Sequence, residues 1–71
     1  MDRTRVSSSN LASVGYDAQT QTLEIEFLNG GISQYYSVPE NRYTGLMSAS
    51  SKGEYFDAFI KKAGYSYRKI R

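Results

Sequence analysis

Thr22-Leu23-Glu24-Ile25-Glu26-Phe27-Leu28-Asn29-Gly30-Gly31-Ile32-Ser33-Gln34-Tyr35-Tyr36 is the stretch on which the fold turns. Leu23, Ile25 and Phe27 alternate with Glu24 and Glu26, the two-residue period of a strand with one buried and one wet face. Asn29-Gly30 then marks a chain reversal, because a two-residue type I′ turn needs positive φ at both central positions and this pair tolerates it best. With those two residues as the loop, Leu28 faces Gly31, Phe27 faces Ile32, Ile25 faces Gln34 and Leu23 faces Tyr36. On the other face Glu26 meets Ser33 and Glu24 meets Tyr35. A loop of Asn29-Gly30-Gly31 would send every residue of the third strand to the opposite face. The first register is preferred, since it places Phe27 beside Ile32 and Leu23 beside Tyr36 in the core.

Upstream, Val14, Tyr16 and Ala18 alternate with Ser13, Gly15 and Asp17, which predicts a strand from Ala12 to Ala18. Ser7-Ser8-Ser9-Asn10 reads as a turn or cap that starts the fold, preceded by a flexible N-terminus of residues 1–5. Downstream, Pro39 and Glu40 suit a helix start, and Tyr43, Leu46 and Met47 recur at helical spacing up to about Ala49. Gly45 weakens that helix and is expected to let it approach the sheet closely. Ser51-Lys52-Gly53-Glu54 has the form of a capping box. The helix it opens turns Tyr55, Phe56, Phe59, Ile60 and Ala63 toward the core and closes at Gly64. Tyr65 to Ile70 alternates again, as a short fourth strand or an extended tail. The expected fold is α+β: a three-stranded antiparallel meander packed against two helices, forming a single domain over residues 6–71. Its core is expected to hold Ile25, Phe27, Leu46, Phe56 and Phe59.

The chain has 71 residues, no cysteine, no histidine and seven tyrosines. Domains this short bury only about 60% of their unfolded surface, so oligomerisation is a natural support for the fold. Without Cys or His there is no thiolate zinc site, no Ser–His or Cys–His nucleophile and no imidazole relay. Carboxylates, ammonium groups, hydroxyls and phenols remain, which suit binding better than turnover. No apolar run approaches the ~20 residues of a membrane span, and a cytoplasmic location is expected. Up to Ser51 there are three basic residues (Arg3, Arg5, Arg42) and five acidic ones (Asp2, Asp17, Glu24, Glu26, Glu40). From Lys52 onward there are six (Lys52, Lys61, Lys62, Arg68, Lys69, Arg71) and two (Glu54, Asp57). That end would attract an anionic partner, although such charges more ordinarily form a solvated helix face and tail.

Val6-Ser7-Ser8-Ser9-Asn10-Leu11, Val14-Gly15-Tyr16-Asp17 and Leu23-Glu24-Ile25-Glu26-Phe27 resemble the front half of a KTSC domain. Val38-Pro39, Tyr43, Leu46-Met47, Ala49-Ser50-Ser51-Lys52-Gly53, Tyr55-Phe56 and Phe59-Ile60 resemble the back half. The resemblance runs from residue 6 to residue 68. It implies a domain named after the C-terminus of some lysyl-tRNA synthetases, here in its stand-alone bacterial or phage form. The family has no established activity, and RNA is the partner suggested for it. One departure stands out: the family's central Tyr-x-Tyr falls on Ser33-Gln34-Tyr35, so its first tyrosine is a serine. A second Tyr-x-Tyr stands at Tyr65-Ser66-Tyr67, beside Arg68 and Lys69.

The candidate ligand-binding residues are therefore Tyr35, Lys52, Tyr65, Tyr67, Arg68 and Lys69, with no catalytic residue, metal ligand or cofactor. The tyrosines offer stacking surfaces and the cations offer phosphate contacts, although strand tyrosines also pack their rings for purely structural reasons. Ser50-Ser51-Lys52-Gly53 at a helix start could cradle an anion, but Glu54 competes as a cap. Glu24 and Glu26 share a strand face without a third metal ligand, and a solvated face is their ordinary use. Arg5, Ser7, Ser8 and Ser9 are more ordinarily turn and cap residues than the lining of a polar pocket. The function expected is a non-enzymatic binding domain for a nucleic acid or nucleotide. The alternative is a protein-interaction or homo-oligomerisation module, including a phage-type oligomer that sequesters a nucleotide or inhibits a host protein.

Overall fold

Five strands follow one another across a single antiparallel sheet in chain order, and two helices cover one of its faces. A computed structural model describes all 71 residues. The strands are β1 (Thr4–Arg5), β2 (Leu11–Asp17), β3 (Thr22–Phe27), β4 (Ile32–Tyr35) and β5 (Tyr67–Lys69); the helices are α1 (Glu40–Ser48) and α2 (Lys52–Phe59), the latter followed by a 3-10 turn at Lys61–Ala63. The α+β meander with two helices is as expected, and the C-terminal segment is a strand. Residues 1–5, expected as a flexible lead-in, supply the first edge: Thr4 pairs with Val14 and Arg5 with Ser13.

The β3–β4 register differs from both alternatives the sequence offers. Leu23 faces Tyr35, Glu24 faces Gln34, Ile25 faces Ser33 and Glu26 faces Ile32. The loop is Leu28-Asn29-Gly30. The Gly30 N–H donates to the Phe27 carbonyl at 2.9 Å and the Phe27 N–H to the Gly31 carbonyl at 2.8 Å. Only Gly30, at φ +92°, takes positive φ in the loop. This is a tight turn followed by a left-handed glycine, the usual three-residue hairpin. Asn29 favours it through its side chain, whose Oδ1 accepts the Gly31 N–H at 2.9 Å, and Leu28 is held on the β2 side by its N–H on the Asn10 carbonyl at 3.0 Å. The shift turns Ser33 and Tyr35 to the helix-covered face with Leu23 and Ile25. It turns Ile32, Gln34 and Tyr36 to the face of Glu24 and Glu26.

A bulge at Ala12 performs a similar service on β2, where Leu11 faces Phe27 but Ser13 faces Glu26. In a regular strand Leu11 and Ser13 would share a face; the extra residue lets Leu11 enter the core while Ser13 reaches the polar side. The core unites Leu11, Val14, Leu23, Ile25, Tyr35 and Val38 with Leu46 of α1, Phe56 of α2 and Ile60. Phe27 is only partly buried and leans edge-on against Phe56. Phe59, expected inside, is 42% exposed. Phe56 and Ile60 define the buried stripe at a spacing of four residues. Phe59 falls beside that stripe, against the Tyr55 ring and beneath the Arg42 guanidinium. Ala63 is likewise exposed.

Ser51 caps α2, its Oγ accepting the Glu54 N–H at 3.4 Å. Gly45 does admit a close neighbour, but from the other helix: a Cβ there would run into the Tyr55 ring and hydroxyl. No helix is long and apolar enough to cross a membrane.

Candidate functional site

Tyr67 and Lys69 lie on β5, the last strand, directly opposite Tyr35 and Ser33. Their side chains therefore share the helix-side face, at the point where the helix layer ends. The 3-10 turn, Gly64 and Tyr65 form the facing wall. Between the two walls lies an open cleft of about 580 Å³, with Phe27, Tyr35, Tyr65 and Tyr67 as its apolar lining and Lys61, Lys69, Asn29 and Ser33 as its polar groups. Clefts of this volume are in the range that accommodates small organic ligands.

The aromatic part is built from the core outward. Tyr35 is buried and meets Phe56 edge-on at 5.5 Å between centroids. Tyr67 stacks on Tyr35 at 5.5 Å and 26°. Tyr67 itself is 65% exposed, so one ring face is held by the protein while the side chain stays open to solvent. Burial, with a smaller contribution from Tyr67, pushes the Tyr35 phenol above its ordinary value. It therefore stays neutral at physiological pH.

The cations of the cleft are free of carboxylates. The chain has two ion pairs, Arg3–Glu24 and Lys62–Asp57, and neither involves Lys61 or Lys69. Helical spacing alone would pair Asp57 with Lys61, four residues on. The change to a 3-10 turn after Ile60 brings Lys62 to Asp57 at 3.0 Å instead, and Lys61 lines the cleft. Lys61 is the functional candidate that sequence reasoning missed, and helical periodicity pointed away from it.

The other sequence candidates separate. Tyr35, Tyr65, Tyr67 and Lys69 come together in the cleft, although Tyr35 faces the core and not the outer surface as the expected register implied. Arg68 faces Gln34, on the opposite side of the sheet from Lys69. Lys52 does not line the cleft; its Nζ donates to the Ala49 carbonyl at 3.0 Å and closes the end of α1. Ser51 and Gly53 border another recess, of about 600 Å³, with Asn10, Glu54 and Asp57. Its two carboxylates make it a poor place for a phosphate.

The polar face of the sheet is self-satisfied. Glu24 is buried, with Arg3 as its ion-pair partner and the Gln34 amide donating to it at 2.8 Å. Burial alone would push its carboxyl up; the hydrogen bonds from Gln34 and Arg3 and the Arg3 charge outweigh that and hold it below the usual range. Ser13 accepts from the Arg3 Nε at 3.0 Å and donates to Glu26 at 2.8 Å. The two glutamates are thus engaged in holding the N-terminal segment to the sheet.

The KTSC domain model matches residues 7–67. A crystal structure of a KTSC domain protein from Yersinia pestis superposes with a TM-score of 0.92 at 46% identity, covering 99% of this chain and 97% of that one. An uncharacterized protein of Stutzerimonas stutzeri is 39% identical over 70 residues, 99% of each chain. A lysine–tRNA ligase of Nostoc punctiforme is 46% identical over 46 residues, which are 65% of this chain and 8% of the ligase. Ser33 lines the cleft beside Tyr35. The family model spans most of the chain and the Yersinia pestis structure superposes over nearly all of it: the chain belongs to the KTSC domain family.

Proposed function

We propose that this protein is a non-enzymatic binding domain that takes a base of a single-stranded nucleic acid or a free nucleotide into the cleft beside β5. One observation carries the reading: the exposed Tyr67 ring, braced by Tyr35, stands among Lys61 and Lys69, which have no carboxylate partner. A braced ring loses little freedom when a base stacks on it, and such stacking is worth about 1–3 kcal/mol per base. Free ammonium groups beside it supply phosphate contacts and counterion release. Kinship with a segment of lysine–tRNA ligases, enzymes named for a tRNA substrate, adds RNA to the polymers worth testing.

Glu24 and Glu26 do not oppose this reading, because the observed register puts them across the sheet from the cleft. The test is titration of a fluorescent single-stranded RNA octamer, and of its DNA counterpart, at low and high salt. Binding should weaken steeply with salt, and Tyr67→Ala should cost about 1–3 kcal/mol in affinity. Absence of binding, or a Tyr67→Ala variant that binds as well as wild type, overturns the reading.

A protein-interaction or self-association role is the second reading, favoured by the exposed apolar groups Leu28, Tyr67 and Ile70 at this end of the molecule. It predicts a complex that responds little to salt, or a dimer in sedimentation that Tyr67→Ala dissolves.

A further inference from the structure

We infer that the cleft continues into a separate anion subsite at the β3–β4 hairpin, where Lys69 and Arg71 hold a phosphate attached to the nucleoside stacked on Tyr67. The inference rests on the nucleotide reading above and narrows the ligand to a phosphorylated one. At the hairpin lies a recess of about 350 Å³ lined by Asn29, Gly30, Gly31, Lys69 and Arg71, with no apolar and no acidic side chain. It shares Asn29, Gly31 and Lys69 with the aromatic cleft, so the two spaces adjoin at these residues.

The site is anchored by its backbone. The Ile32 N–H donates to an oxygen of the Arg71 α-carboxylate at 2.9 Å, which engages the one anion at the recess, and the Arg71 N–H donates to the Ile32 carbonyl at 3.1 Å, so the Arg71 side chain leaves from a fixed point on the hairpin. The Asn29 Oδ1 is taken by the Gly31 N–H, which leaves its Nδ2 as a free donor. A side chain at Gly31 would press on Asn29 Oδ1 at 3.2 Å and on the Arg71 oxygen at 3.4 Å; glycine keeps this floor open. Tyr67 and Lys69 stand two residues apart on one strand face, about 7 Å along the strand. That spacing suits a ring and a charge belonging to a single nucleotide. Lys61, on the other wall, does not line this recess and contacts only the aromatic part of the ligand.

The test is an amide NMR titration of the isotope-labelled protein with adenosine, AMP and inorganic phosphate. AMP should bind about tenfold tighter than adenosine, the scale of one charge-assisted contact. It should move the Gly30, Gly31 and Arg71 amide resonances, which adenosine leaves in place and phosphate alone moves weakly. The Lys69→Ala, Arg71→Ala double variant should bind AMP no better than adenosine, whereas Tyr67→Ala should weaken both. No detectable AMP binding, equal binding of AMP and adenosine, or an AMP advantage that survives the double variant overturns the subsite. Those results leave the aromatic reading standing if the RNA octamer still binds through Tyr67; if that also fails, the cleft reading itself falls.

Discussion

The two edges of the sheet are alike in sequence and opposite in how their cations are engaged. Each is a very short strand carrying cations, Thr4–Arg5 with Arg3 just before it at one side and Tyr67–Lys69 at the other. At the first edge the guanidinium of Arg3 is engaged with buried Glu24 and with Ser13. At the last edge Lys69 meets no carboxylate and stands beside an exposed ring. A cation's residue type does not say whether it belongs to the fold or is available to a ligand. What decides is whether the register delivers a carboxylate to it. Glu24 lies on the polar face, so the edge that packs across that face is neutralised and the cleft on the opposite face is not.

The largest expected effect removes the core beneath the cleft. Phe56 meets Tyr35 and Phe27 edge-on beneath the cleft. Phe56→Ala should cost about 3–5 kcal/mol, comparable to the whole stability of so small a domain. Chemical denaturation should find the variant largely unfolded in buffer; native-like melting would mean that the cleft is not built on the core.

Next in size is Arg3→Ala, which leaves the buried Glu24 carboxylate with Gln34 as its hydrogen-bond partner and no ion pair. Only the carboxylate of this pair is buried, and leaving it short of a partner costs about 1–3 kcal/mol. Lys69→Ala should change stability by no more than about 0.5 kcal/mol, as exposed unpaired charges do. Equal losses from the two variants, read from denaturation midpoints, would erase the contrast between the edges.

A smaller effect should follow pH. The Glu24 carboxyl is held below its ordinary value in the folded state, so the unfolded chain binds its proton first as pH falls. Its contribution is fully present above the unfolded value of about 4.3 and is lost as pH drops from there through the folded value. Stability should therefore be insensitive to Glu24 between neutrality and about pH 5 and then decline. Arg3→Ala should make that acid limb shallower. An unchanged acid limb in the variant would show that Arg3 does not hold the carboxyl down.

Much of this was legible in the sequence, because period-two and helical patterns report burial directly. Leu23, Ile25, Leu46 and Phe56 enter the core as their spacing predicts, and the Ser51 cap opens α2 where expected. What failed depended on one-residue choices that patterns describe poorly. Asn29-Gly30 signals a reversal but does not distinguish a two-residue from a three-residue loop, and that one residue moved Tyr35 from the outer face to the core. Phe59 and Ile60 are adjacent apolar residues of which the helix can bury only one fully. In the candidate cleft, the meeting of Tyr67 with Lys69 is legible because alternation places 67 and 69 on one face. Arg68 was grouped with Lys69 by charge although the same alternation separates them. Lys61 was hidden, because its position depends on where α2 tightens.

That separation of neighbours provides the most direct test of the account. Arg68 and Lys69 carry the same charge one residue apart, on opposite faces of β5, and only Lys69 lines the cleft. Affinity for a single-stranded RNA octamer should be measured across a salt series for wild type, Arg68→Ala and Lys69→Ala. Lys69→Ala should weaken binding and reduce the slope of log affinity against log salt by about 1, while Arg68→Ala should leave both nearly unchanged. Equal losses in the two variants, or a loss confined to Arg68→Ala, would contradict a ligand site on the cleft face of the sheet.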